Sequence, residues 1–185
     1  MIFSGSGGQG VITAAIILAE AAVLYDNLVA VQSQSYGPEA RGGATRSDVI
    51  IADSPIYFPK VIQPNVLVCL TQQAYAKFHS IIRPGGLLVT DSRYVQSEKK
   101  VDARQVELPM YQMVMDTIGR AIVFNICMLG AVIGLTKIVQ PESIMKVLEK
   151  QISENFLEMN RKALHLGLNL VEDGKLRRSI NAEGF

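Results

Sequence analysis

Tryptophan is absent from the 185 residues, aromatics make up 6%, and there are two cysteines and two histidines. Each shortage removes a class of function. With few aromatic faces and a net charge of +1, the chain offers neither the stacking platforms nor the basic footprint that nucleic acid requires. The same balance gives no bias toward an anionic membrane surface. Cys69 and Cys127 each lie inside an apolar run and at no metal-ligand spacing. They read as reduced core thiols, so neither an iron–sulfur cluster nor a structural zinc is expected on this chain. His79 and His165 fall within helical stretches and read as surface or cap residues rather than bases. There is no G-x-S-x-G elbow and no Walker A lysine. No catalytic residue and no metal ligand is therefore assigned.

Long apolar runs are also missing. The uncharged, apolar stretch Ala121 to Thr136 falls short of the roughly 20 apolar residues that a bilayer span needs. It reads as a buried helix of a soluble protein, with Gly119, Gly130 and Gly134 suited to close helix contacts. The start shows no basic n-region and no cleavage site, so no signal peptide is expected and the cytoplasm is the expected location.

What the chain does have is a core: 49% hydrophobic against 19% charged residues, over a length suited to one domain. The elements alternate. Met1 to Ser4 reads as a short strand, Val11 to Leu24 as a helix, Leu28 to Val31 as a second strand, and Thr45 to Ala52 as a third in which Asp48 interrupts the alternation. The helix is apolar almost all round and needs cover on two sides, from its own fold or from another subunit. Ser54-Pro55 and Phe58-Pro59 confine the next piece to an edge or turn. Val66 to Leu70 is a run of the kind buried on both faces, followed by an amphipathic helix over Thr71 to Ile82 and strands at Leu87 to Thr90 and Val101 to Leu108. From Met110 to Val139 the pattern is helical, with Asn125 in the middle as an amide that must find partners. Pro141 opens another helix. A last one starts at Ser153, with Glu158 placed to pair with Lys162, and stops at Asp173-Gly174. The expected architecture is α/β: an open, mostly parallel, Rossmann-like three-layer sheet with helices on both faces and a helical C-terminal third. One domain covers 1–172, followed by a polar tail over 173–185.

Two stretches are not explained by packing. Gly5-Ser6-Gly7-Gly8-Gln9-Gly10 lies between the first strand and helix, with glycines at the places of G-x-G-x-x-G. It presents the first amides of the helix as a possible anion site. The second stretch, Gln32 to Gly43, is a polar loop rich in turn residues. Leaving the carboxyl ends of the first two strands, both loops should share one edge of the sheet, where such folds bind ligands. Arg41 would then stand near the helix amides, with Glu39 as the only nearby carboxylate. A dinucleotide site needs an acid at the end of the second strand. That place holds Gln32, Ser33, Gln34 and Ser35, and Asp26 comes before the strand. A stand-alone nucleotide-binding protein or dehydrogenase remains the rival reading.

The two stretches together, Gly5 to Val11 and Ser35-Tyr36-Gly37-Pro38-Glu39-Ala40-Arg41-Gly42-Gly43 with the serine-bearing strand after them, resemble the gamma subunit of 2-oxoacid:ferredoxin oxidoreductases. Pro64 to Leu70, Pro84-Gly85-Gly86 and the helix from Asn125 to Gly130 are similar too, so the likeness spans nearly the whole chain. The short first strand departs from the family's longer start. The resemblance implies a multisubunit enzyme that decarboxylates a 2-oxoacid on thiamine diphosphate, sends electrons through iron–sulfur clusters to ferredoxin, and yields an acyl-coenzyme A. Thiamine diphosphate, magnesium and the clusters are expected in alpha, beta and delta partners, with no cofactor held by this chain alone and coenzyme A as co-substrate. The isolated chain is expected to be inactive and able to form a homodimer. A size suited to a separate chain leans the substrate toward 2-oxoglutarate, with the indolepyruvate enzyme as an alternative within the family. Gly5, Gly7, Gly8, Gln9 and Gly10, with Ser35, Tyr36, Glu39, Arg41, Gly42 and Gly43, are the expected cofactor-binding or subunit-facing residues.

Overall fold

In this computed structural model the described residues are 1–34, 44–97 and 101–182, with 173–182 as helix backbone. Six strands form one sheet: β1 (Ile2–Gly5), β2 (Val29–Gln34), β3 (Thr45–Ala52), β4 (Val66–Cys69), β5 (Gly86–Asp91) and β6 (Ala103–Leu108), in the order β2-β3-β1-β4-β5-β6. From β1 through β6 the pairing is parallel. β3 is the exception, running antiparallel to both β1 and β2. The mostly parallel expectation holds, but β3 sits between the first two strands. This also lengthens the second strand: Gln32, Ser33 and Gln34, read from sequence as loop, pair with Val49, Asp48 and Ser47. Their polarity is answered locally, since the Gln32 amide donates to the Ser47 hydroxyl at 2.7 Å. Asp48, out of pattern in β3, takes a two-pronged bond from Arg46 at 2.6 and 2.8 Å. Arg46 lies two residues away on the same face, and also donates to Val61 O.

The helices are α1 (Val11–Tyr25), α2 (Gln72–Phe78), α3 (Met110–Thr117), α4 (Phe124–Thr136), α5 (Pro141–Gln151) and α6 (Glu154–Ala182). They cover the two faces unequally. Phe3, Val68, Val89 and Val106 point to a large core shared with α1, α3, α4, α5 and α6. Ile2, Leu67, Cys69 and Leu88, the alternate residues of the same strands, point to a smaller one closed by α2 and Val61. On the thick side α4 is a second-layer helix, buried from Phe124 through Gly134. Each of its large apolar side chains contributes about 1.5–3 kcal/mol on burial.

α4 and α6 meet backbone to backbone. A Cβ at Gly130 would run into Leu164 O, and one at Gly167 into Cys127 O and, at 2.7 Å, Ala131 N. Gly130 thus serves the close contact expected of it, while Gly134 makes only ordinary contact with Leu168 and Val171. Gly119 does something else. It takes φ 73°, and the helical stretch from Met110 breaks there into α3, a 3-10 turn at Ala121–Val123, and α4. Two further expectations are corrected. The last helix does not stop at Asp173-Gly174 but runs on to Ala182, because a helix of this length carries a glycine such as Gly174 at a cost of only about 1 kcal/mol. Glu158 pairs with Arg161, three residues on at 3.7 Å, rather than with Lys162.

α1 and α2 leave β1 and β4 toward opposite faces. β1 and β4 are therefore the neighbours between which the winding reverses. In an open α/β sheet that is where a ligand crevice forms.

Candidate functional site

The glycine bend, Gly5 to Gly10, lies at this reversal and is held by side chains from distant parts of the sequence. The Thr45 hydroxyl of β3 donates to Gly5 O at 2.9 Å, and the Ser4 hydroxyl donates back to Thr45 O at 2.7 Å. Gln9 fills the crevice itself. Its Oε1 accepts the Ser6 N–H at 2.8 Å and its Nε2 donates to Leu70 O, just past β4, at 3.3 Å. A Cβ on Gly5 would stand 2.5 Å from that Oε1, so the glycine is what admits the glutamine. At the far end Gly10 takes φ 70° as the N-cap of α1. Asn125 of α4 lies across it, its Nδ2 donating to Gly10 O at 3.3 Å. The Asn125 side chain is buried, 8% exposed, and its Oδ1 has no hydrogen-bond partner.

The Gly5 and Gly10 carbonyls are thus taken while the start of α1 carries no side-chain cap. No acid stands in the first turn. The positive end of the macrodipole faces outward without local compensation, a setting that favours an anionic group.

The same edge carries a second cluster after β5. Asp91 is fully buried and accepts the amides of Arg93 at 2.9 Å and Tyr111 at 2.8 Å. Burial raises its carboxyl above the usual range, against the lowering effect of those amides and of the Arg93 charge. The Arg93 guanidinium lies 5.1 Å from the Tyr111 ring centroid and 5.9 Å from that of Tyr94. Tyr111 packs edge to face on Tyr94 and on Phe124, and the latter two rings are tilted at 56° to each other. Burial pushes the Cys69 and Cys127 thiols up to about 12, which leaves them unreactive. His79 bonds Tyr75 O at the end of α2 and stacks on the Tyr75 ring, and His165 is exposed on α6. Both are the surface or cap residues expected.

Of the expected site residues, Gly5, Gly7, Gly8, Gln9 and Gly10 form one bend. Ser35, Tyr36, Glu39, Arg41, Gly42 and Gly43 lie outside the described residues. The ends that flank them are described: Thr45 is paired with Gly5, and Gln34 with Ser47 on the adjoining strand. The chain therefore leaves and re-enters the sheet on the edge that carries the glycine bend. Thr45 was not legible as part of the site. Asn125 carried a signal, an amide within an apolar helix, but its partner lies 115 residues away. Asp26 is engaged elsewhere, accepting the Gln140 N–H at 2.8 Å and the Ser143 hydroxyl at the start of α5.

The pyruvate ferredoxin/flavodoxin oxidoreductase family profile matches residues 1–170. The chain is 46% identical over 172 residues to the 2-oxoglutarate synthase subunit KorC of Methanocaldococcus jannaschii, covering 92% of each. Among solved structures, the gamma subunit of a keto/oxoacid ferredoxin oxidoreductase from Geobacter sulfurreducens superposes with TM-score 0.84 at 41% identity, over 93% of this chain and 97% of that one. A 2-oxoglutarate:ferredoxin oxidoreductase from Magnetococcus marinus, with 2-oxoglutarate, coenzyme A and succinyl-CoA bound, shares the fold at TM-score 0.83 and 21% identity. It matches over 93% of this chain but 30% of its own.

Proposed function

Because the chain belongs to the pyruvate ferredoxin/flavodoxin oxidoreductase family, as a gamma subunit of a 2-oxoacid:ferredoxin oxidoreductase, we propose that it serves a complex acting on 2-oxoglutarate. The observation that carries this choice is the 46% identity, along 92% of both chains, to a subunit of a 2-oxoglutarate synthase. The complex would decarboxylate the 2-oxoacid, transfer the acyl group to coenzyme A and send two electrons to ferredoxin. Thiamine diphosphate and iron–sulfur clusters belong, in this reading, to alpha, beta and delta partners. The donor set here does not suit a cluster: the two cysteines lie in separate cores with thiols pushed up to about 12.

The chain's own part is to present an edge. The open start of α1 and the segment carrying Arg41 hold an anionic group, a carboxylate of a partner subunit or a phosphate of coenzyme A. The rival nucleotide-binding reading has little left to stand on. β2 ends in Gln34 rather than an acid, and Asp26 is bonded to α5.

Two measurements test the reading. The holoenzyme assembled with this subunit should show its highest kcat/KM with 2-oxoglutarate, against pyruvate, a branched-chain and an aryl 2-oxoacid; preference for another acid removes the substrate assignment. Arg41→Ala should weaken assembly or raise the KM for coenzyme A. If both stay as in the wild type, the edge has a different purpose.

A further inference from the structure

Beside the glycine bend the thick side of the fold opens into a cleft of about 430 Å³, reached by Gly10, Thr13, Asn125, Ile126 and Met159. Ile122, Phe156 and Met159 line both this cleft and a neighbouring hollow of about 500 Å³ that Arg120 also lines, so the two form one groove. The Ile122 and Phe156 side chains are 75% and 50% exposed. Large apolar residues left open along a groove mark a surface made to be covered.

The electrostatics are one-sided. α1, α4 and α6 all begin at the groove, through Gly10, Val123 and Ser153, against one C-terminal end, that of α5 at Gln151. Arg120 adds a positive charge to the lining. Among the described residues, no Asp or Glu lines the groove. Glu20 is bonded to Gln151, and Glu154, the first residue of α6, adjoins the lining residues. Asn125, 8% exposed, lines the cleft, and its buried Oδ1 has no partner among the described residues. An occupant should therefore bring apolar bulk for Ile122 and Phe156 and negative charge for Arg120 and the helix starts.

We infer that this groove receives an acidic, apolar-anchored segment of another polypeptide of the complex, a proposal that rests on the gamma-subunit reading above. A peptide supplies both features at once: a carboxylate side chain and an apolar anchor. The length of the groove and its two exposed apolar residues favour a polypeptide over a compact anion.

The test uses the reconstituted complex. Arg120 and Ile122 are exposed, so Arg120→Glu and Ile122→Asp should fold, which the thermal melt of each isolated variant checks. Association of the subunit with the remaining subunits, followed by analytical ultracentrifugation, should weaken at least tenfold for both. Arg120→Lys should stay within threefold of wild type, and Ile122→Lys should lose less than Ile122→Asp. The KM for coenzyme A of the assembled enzyme should stay within twofold. Unchanged association overturns the inference, and so does a raised KM for coenzyme A at unchanged association, which would hand the groove to the co-substrate. Failure of the wild-type subunit to assemble or to support 2-oxoacid turnover would instead sink the family function, so the two outcomes are separable.

Discussion

Two of the places in this molecule where a missing Cβ lets neighbours close in do opposite things. At the crossing of α4 and α6, Gly130 and Gly167 let two helices touch inside the thick layer. At the bend after β1, glycine lets Gln9 and Asn125 close over the chain while the start of α1 stays open to the outside. The first arrangement turns the absence into packing, the second into a surface. Substitutions at the crossing should therefore be felt in stability alone, and substitutions at the bend increasingly in assembly.

The largest effect is expected for Gly167→Ala, whose Cβ would overlap the Cys127 carbonyl. Backbone cannot step aside as a side chain can, so the loss should be about 3 kcal/mol. Chemical denaturation of the isolated chain measures it, and a loss under about 1 kcal/mol would show that the helices can separate cheaply. Gly10→Ala comes next. It meets a left-handed backbone, φ 70°, and the Asn125 amide 2.6 Å away, for a combined cost of about 1–3 kcal/mol. Part of this should appear as weaker association with the partner subunits, because Asn125 faces the groove as well as the bend. If only stability changes, the bend is a structural crossing like the other.

Asp91→Asn gives a smaller, pH-dependent effect. A carboxyl whose folded pKa is raised binds its proton more readily in the native state, so its contribution is complete below the ordinary value of 3.8 and is lost as pH rises through the folded value. The melting temperature of the wild type minus that of the variant should thus be greater at pH 4 than at pH 7. The reverse order would mean that the amides of Arg93 and Tyr111 outweigh burial. Gly7→Ala closes the series. Nothing lies within 4 Å of a Cβ there, and stability should move by no more than about 0.5 kcal/mol. Any loss of assembly in that variant measures the partner's approach directly, and unaltered assembly would place the partner beyond Gly7.

Much of this was readable in the sequence, for reasons that differ by element. β4, the amphipathic stretch of α2 and Pro141 at the start of α5 are local statements that the fold did not need to override. The bend was legible because turn chemistry is local too. The insertion of β3 between β1 and β2 was not, since strand order depends on pairings with no signature in either strand. Gln32 to Gln34 read as loop because their polar side chains find partners only once β3 is beside them. Gly119 looked like Gly130 in an apolar run, and only the left-handed turn separates their roles. The groove joins residues near 10, 122 and 156, so no window along the chain could show it.

Gln9 has a consequence for how the subunit meets its neighbours. In a nucleotide-binding α/β protein the loop after the first strand settles around its guest, and some of the binding energy goes into quieting it. Here the carboxamide plays the guest, bridging Ser6 and Leu70 within the chain itself. The ordering is completed during folding, so a docking surface arrives already rigid and association loses less entropy at the moment of encounter.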